Sequence, residues 1–128
     1  MKKILFFLLL AFVISIRRNL VKKEGEEFTI EIRGNPSTGY NWYLDNHNQL
    51  NDNVITGLHL SKAGIGIFVP FPNTPNIKFG AEGKFVFKFK ANKASPNPKI
   101  LRFVYKRSWM KTIAKERIYK VTVVEKLQ

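Results

Sequence analysis

The chain has 128 residues, 45% of them hydrophobic and 13% aromatic, a composition that suits one domain with its own core rather than a disordered segment. Its 22 Lys and Arg residues outnumber its 9 Asp and Glu residues, and the formal charge of +13 means that a negatively charged partner must be considered. Because there is no cysteine, disulfides, a thiol nucleophile and thiolate metal sites are excluded.

The first 15 residues have the layout of a secretory signal peptide. Two lysines form a basic start, an apolar run extends from Ile4 to Ile14, and Ser15 is a small residue at the expected cut. An uncleaved signal anchor is the alternative, but the run is shorter than the ~20 residues that a transmembrane helix needs. We therefore expect a signal peptide at residues 1–15 and a single domain at residues 16–128. That domain would be secreted, or held in a lysosome or vesicle lumen, with no membrane anchor after cleavage.

The first strands of the domain are predicted from alternating apolar and polar residues, the pattern of a half-buried strand. Asn19–Lys23 is predicted to be a short edge strand, and residues 24–26 a turn. Apolar residues then alternate on both sides of a loop at residues 35–39. Those predicted to face the core are Phe28, Ile30, Ile32, Tyr40, Trp42 and Leu44, with Tyr43 on the opposite face.

The loop at residues 35–39 is predicted to be stiff. Pro36 fixes its own φ at about −65° and keeps Asn35 extended. Ser37 and Thr38 can bond back to the neighbouring backbone through their hydroxyls, while Gly39 permits a positive φ. An ordinary turn between two strands would have the same features.

The second half of the chain continues the strand pattern. Val54–Leu60 is predicted to be a strand, and Lys62–Asn76 a long loop that contains three prolines and has no assigned role. Three later strands are predicted around the inward-facing residues Phe85, Phe87, Phe89, Leu101, Phe103, Tyr105, Tyr119, Val121 and Val123, with Val104 facing outward. About seven to eight short strands without helical periodicity predict an all-β fold, an immunoglobulin-like antiparallel β-sandwich.

Three short motifs follow one another along the chain. The first is Asn35-Pro36-Ser37-Thr38-Gly39-Tyr40, with Trp42 two residues later; the second is Gly80-Ala81-Glu82-Gly83, which opens a strand; the third is Arg107-Ser108-Trp109, which ends one. Together they resemble the three loops of the chagasin family, protein inhibitors of papain-like cysteine proteases. Two positions depart from the family's motifs, since Glu82 stands in place of Gly and Ser108 in place of Pro. Gly64-Ile65-Gly66-Ile67 competes for the second loop and ranks lower, because no clean alternating strand follows it.

The resemblance implies reversible, tight-binding inhibition without catalysis, by three loops that block the active-site cleft of a papain-like (cathepsin-type) protease. Ser37, Thr38 and Gly39 would lie at the catalytic centre, and Tyr40 and Trp42 would chiefly pack beneath the loop. The resemblance also implies a monomer that binds neither a metal nor a cofactor. The residues assigned to protease binding are Asn35, Pro36, Ser37, Thr38, Gly39, Tyr40, Trp42, Gly80, Ala81, Glu82, Gly83, Arg107, Ser108 and Trp109.

The sequence also has features that bear on functions other than inhibition. A basic secreted module that binds an anionic glycan or nucleic acid is the alternative, because lysines and phenylalanines interleave from Lys84 to Lys90. Nucleic acid is not expected, since rings and lysines fall on opposite faces of that strand. An enzyme is not expected either, because His47 and His59 are the only histidines and have no ligand spacing. For Trp109 the alternative is a core residue beside a solvated Arg107.

Overall fold

The computed structural model describes residues 15–47, 50, 53–72 and 82–127. The predicted signal peptide lies outside this part of the chain except for Ser15, and its cleavage stays a prediction. No helix in the described part is long and apolar enough to cross a membrane. The strands are β1 (Ser15–Lys23), β2 (Glu27–Gly34), β3 (Tyr40–Leu44), β4 (Ile55–Leu58), β5 (Ile67–Pro70), β6 (Gly83–Ala91), β7 (Lys99–Arg107) and β8 (Lys115–Val124), with a 3-10 turn at Pro36–Thr38.

The eight strands form two layers. One sheet has the order β1-β8-β7-β3, and the other has the order β2-β6-β4 with β5 also paired to β6. This confirms the predicted all-β sandwich. One pair is parallel rather than antiparallel, because β1 runs alongside β8 in the same direction at the edge of its sheet. β1 also begins at Ser15, four residues before the predicted Asn19.

Aromatic side chains fill the space between the layers. Phe85, Phe87 and Phe89 of β6 are all buried, as predicted from their alternation with lysines. The Phe103 ring of β7 meets Phe87 at 4.7 Å and Tyr119 of β8 at 5.5 Å between centroids, both edge to face. Edge-to-face contacts of this kind add to the free energy of apolar burial, so these rings hold the two sheets together.

Two side chains predicted to face solvent are buried instead. Tyr43 and Val104 lie opposite each other on β3 and β7. The prediction was wrong for both because a distant segment covers the edge of β3: Ile65 bridges to Tyr43, and the Leu44 N–H donates to Gly64 O at 2.8 Å. The Tyr43 hydroxyl is enclosed and has no hydrogen-bond partner among the described residues.

The predicted long loop at Lys62–Asn76 is also corrected. Its middle forms β5, which pairs with the beginning of β6 from Ile67 opposite Val86 to Pro70 opposite Gly83. The first part of the segment is tied to the other sheet, because both ring nitrogens of His47 lie 3.0 Å from carbonyl oxygens, those of Leu44 and Lys62. His47 is therefore a structural residue that links the connection between β4 and β5 to the end of β3.

A charged cluster secures the sheet that contains β3, β7 and β8. Arg102 donates two hydrogen bonds to Glu116, at 3.1 and 2.7 Å, and a short one to Asp45. Partial burial disfavours the charged form of Arg102, but the bonds and charges of Glu116 and Asp45 outweigh it, so the pKa of Arg102 is raised. The guanidinium thus bridges neighbouring strands as a permanent cation.

Candidate functional site

The three motifs meet at one end of the sandwich. The first loop, Asn35–Gly39, joins β2 to β3 and therefore crosses from one sheet to the other. At its start Gly34 pairs with Gly83, and at its end Tyr40 pairs with Arg107. The first loop is thus flanked by the second motif on one sheet and by the third on the other. Of the second motif, Glu82 and Gly83 are described, whereas Gly80 and Ala81 lie outside the described residues.

The first loop is held by hydrogen bonds of its own. The Asn35 side-chain oxygen accepts from the Ser37 N–H at 3.0 Å and from the Ser37 hydroxyl at 2.6 Å. Thr38 Oγ1 donates to Asn35 O at 3.2 Å, and the Gly39 N–H donates to Pro36 O at 3.0 Å. Gly39 ends the turn with φ of +84°. The predicted stiffness therefore has a specific cause, which is capping by Asn35, and Ser37 and Thr38 remain exposed at the tip.

The third motif packs directly on the first loop. Arg107 Nε donates to Thr38 O at 3.2 Å, and its guanidinium carbon lies 4.6 Å from the centroid of the Tyr40 ring. The Trp109 ring lies against Gly39, since a Cβ at that glycine would be only 2.6 Å from Trp109 Cη2. Trp109 is nevertheless 69% exposed, so the alternative of a core tryptophan is wrong.

Aromatic rings support the first loop from below. Trp42 is 2% exposed, and its indole N–H donates to Arg33 O at 2.9 Å. The Tyr105 ring lies 5.0 Å from both the Trp42 and the Tyr40 rings. The burial of Trp42 agrees with its predicted main role of packing beneath the loop, and Tyr40 is half-buried at the rim of the loop.

The second motif brings in two residues that sequence reasoning missed. The Glu82 carboxylate lies 3.2 Å from the Arg33 guanidinium, and Glu82 O accepts from the Phe71 N–H at 3.1 Å. Arg33 also lies over the Phe71 ring, 5.2 Å from its centroid. The outward position of Arg33 on β2, two residues before Asn35, was the signal that could have identified it. Phe71 had no such signal, because β5 was not predicted.

The competing glycine segment lies elsewhere. Gly64 O accepts from the Leu44 N–H, at the end of β3 that is remote from the first loop. Gly64 is also enclosed, because a Cβ there would be 2.7 Å from Leu44 O and 2.8 Å from His47 Nδ1. Its role is to close the edge of β3.

The side chains at the site are of types that suit binding to another molecule. Among the described residues there is no group of three or more His, Asp or Glu side chains that could hold a metal ion. The loop end instead presents small polar side chains on a stiff turn, an exposed indole ring and two arginines, and Trp and Arg are residue types that often dominate binding energy. A surface of this kind suits insertion into a cleft.

The chain is similar to a known family of proteins. The chain matches the family model of the chagasin family peptidase inhibitor I42 over residues 22–123, a span that contains all three motifs. No curated protein sequence is significantly similar to the chain.

Two solved structures have a similar fold. The cysteine protease inhibitor EhICP2 from Entamoeba histolytica is 19% identical, with a TM-score of 0.62 over 88% of this chain and 96% of that chain. PbICP-C, determined in complex with falcipain-2, is 17% identical, with a TM-score of 0.63 over 88% of this chain and 91% of that chain. At these identities the likeness establishes a shared architecture.

Proposed function

The chain belongs to the chagasin family of cysteine protease inhibitors, and on this premise we propose that it blocks the active-site cleft of a papain-like protease with its three loops. Membership in the family makes the protein an inhibitor and not an enzyme. The observation that carries the mode of inhibition is the exposed first loop, capped by Asn35 and flanked by the two other motifs.

The rigidity of the first loop favours tight binding. A flexible loop loses conformational entropy when it docks, and that loss reduces affinity by about 0.5–1.5 kcal/mol for each side chain that becomes ordered. Here the backbone of the tip is already fixed by bonds from Ser37, Thr38 and Gly39. Most of the contact energy with the protease would therefore appear as affinity.

Two side chains of the third motif have different proposed roles. Arg107 is engaged with Thr38 O and the Tyr40 ring, so it acts as a positioning residue that braces the first loop. Trp109 contacts Gly39 with one part of its ring and leaves 69% of its surface exposed, which makes it the proposed anchor against the protease.

The partner and the cellular setting follow from the same proposal. PbICP-C is bound to falcipain-2 in its structure, which supports a protease as the partner of this chain. We place the inhibitor, as a monomer, outside the cell or in a lysosome-like lumen, because residues 1–15 have the pattern of a signal peptide. The excess of positive charge would speed association with an acidic protease and make the on-rate sensitive to salt.

Titration against an active papain-like protease of known active-site concentration tests the proposal, with a serine protease as control. The domain at residues 16–128 should remove the cysteine protease activity stoichiometrically and reversibly and leave the serine protease unaffected. Thr38→Arg should weaken inhibition well over tenfold, because a long charged side chain would enter the cleft at the exposed tip, while Thr38→Ser should keep it. Equal potency of all three proteins would show that the first loop is not the inhibitory element.

A further inference from the structure

The outer face of the β2-β6-β5 sheet carries exposed apolar side chains near the loop end. On β5, Ile67 is 48% and Val69 is 39% exposed, and Ile67 lies opposite Val86 of β6. Phe68, between them, points the other way and packs on Phe85 with ring centroids 5.2 Å apart. Ile67, Val69 and Val86 therefore form one outward-facing patch, which we call the β5 strip.

The charges beside the β5 strip neutralise one another. Lys84, opposite Val69, donates to both carboxylate oxygens of Glu31 at 3.0 and 3.1 Å. Arg33, in the next strand at the same level, is paired with Glu82 at 3.2 Å. An apolar patch bordered by satisfied ion pairs has the anatomy of a protein interface, with an apolar centre and a polar rim.

The β5 strip lies within reach of whatever binds the first loop. Val69 is at the level of Arg33, two residues below Asn35, and Ile67 is two residues lower still. At a rise of about 3.3 Å per residue these levels lie roughly 7 and 13 Å below the loop. A partner that covers about 800 Å² of this protein, a patch of roughly 16 Å radius, would extend over that distance.

We propose that the β5 strip is a second contact area for the protease that the loops inhibit, and that it takes an apolar shoulder next to the active-site cleft. The proposal rests on the proposed function, because the protease brings that shoulder to the strip only when its cleft receives the first loop. Its effect is on residence time, since contacts made after the loops have docked slow dissociation more than they speed association.

A pair of double variants tests this role. Ile67→Ser with Val69→Ser removes the two apolar side chains that β5 contributes to the strip and leaves Val86 of β6 unchanged. Val21→Ser with Val124→Ser is the matched control, because these two side chains are 67% and 37% exposed on strands of the other sheet, at the end away from the loops. Dissociation rates from a papain-like protease are measured by surface plasmon resonance, and thermal unfolding is measured for each free protein.

The strip variant should dissociate about tenfold faster than the wild type, and the control less than twofold, with similar midpoints of unfolding. An unchanged dissociation rate, while the wild type inhibits and Thr38→Arg does not, would overturn the strip proposal alone. A lower unfolding midpoint with an unchanged dissociation rate would overturn it too, because the strip would then contribute to folding and not to binding. Failure of the wild type to inhibit would instead refute the proposed function.

Discussion

Gly39 gives the sharpest test of how the first and third loops depend on each other. Its φ of +84° is in the left-handed region, where a side chain costs about 1–2 kcal/mol, and a Cβ there would be 2.6 Å from Trp109 Cη2. Gly39→Ala should therefore lower the free energy of unfolding by about that amount and displace the Trp109 ring. Displacement of a proposed anchor should weaken inhibition by at least about tenfold, equivalent to ~1.4 kcal/mol.

Gly25 supplies a control with the same backbone strain. Its φ is +83°, but nothing lies within 4 Å of a Cβ at that position, which is in the turn between β1 and β2. Gly25→Ala should lose a similar free energy of unfolding, measured by urea denaturation, and keep its inhibition constant. If Gly39→Ala inhibits as well as Gly25→Ala, contact between the two loops does not contribute to inhibition and the reasoning fails.

Three further predictions concern single side chains. Arg107→Lys keeps the charge but loses the Nε bond to Thr38 O, so the inhibition constant should rise about tenfold. The rise should be the same at low and at high salt, because the charge of the side chain is unchanged. Tyr43→Phe removes an enclosed hydroxyl that has no partner among the described residues, so urea denaturation should show equal or slightly greater stability; a marked loss would mean that the hydroxyl is bonded. The Lys23 N–H donates a hydrogen bond to the Glu26 carboxylate and lowers the pKa of Glu26. The ionised carboxylate therefore stabilises the fold above the pKa that Glu26 has in the unfolded chain, and this stabilisation is lost as the pH falls through the pKa of Glu26 in the folded protein. Wild type and Glu26→Gln should accordingly differ in stability near neutral pH, and the difference should shrink as the pH falls below the ordinary pKa of a glutamate, about 4.3.

The sequence predicts the strands whose apolar faces are buried between the sheets. In β2 and β6, regular alternation places Ile30 and Phe87 in the core, and the structure agrees. The failures occur where burial depends on distant segments. Val104 follows the outward pattern of its strand, yet it is buried beside Tyr43, where residues 64 and 65 close the edge of the sheet. No local periodicity encodes such a contact.

β5 escaped prediction because it has only four residues and ends in Pro70. A proline usually argues against a strand, and it is tolerated here because β5, among the described residues, is paired on one side only, to β6. The first four residues of β1 were not predicted for another reason. Arg17 and Arg18 are both exposed, so this part lacks the alternation of apolar and polar residues from which the other strands were predicted.

The loop end was predictable as a set of motifs but not as a set of contacts. Motif order predicted three loops, and the structure brings their described residues together at one end of the sandwich, because residue types at turns and strand ends are local features. The hydrogen bond from Arg107 to Thr38 O joins residues 69 positions apart, and the ion pair of Arg33 with Glu82 spans 49. Such pairings depend on strand register, which a single sequence does not specify for separated strands.

The unequal attachment of the loops has a consequence for how such a protein diverges. The first and third loops share a packed contact, so a side chain at Gly39 would require either movement of the Trp109 ring or a smaller residue at position 109. The described part of the second loop is constrained by β5 instead, because a Cβ at Gly83 would be 2.4 Å from Val69 O. The two departures from the family's motifs, Glu82 and Ser108, are both at exposed positions, outside these two packed contacts.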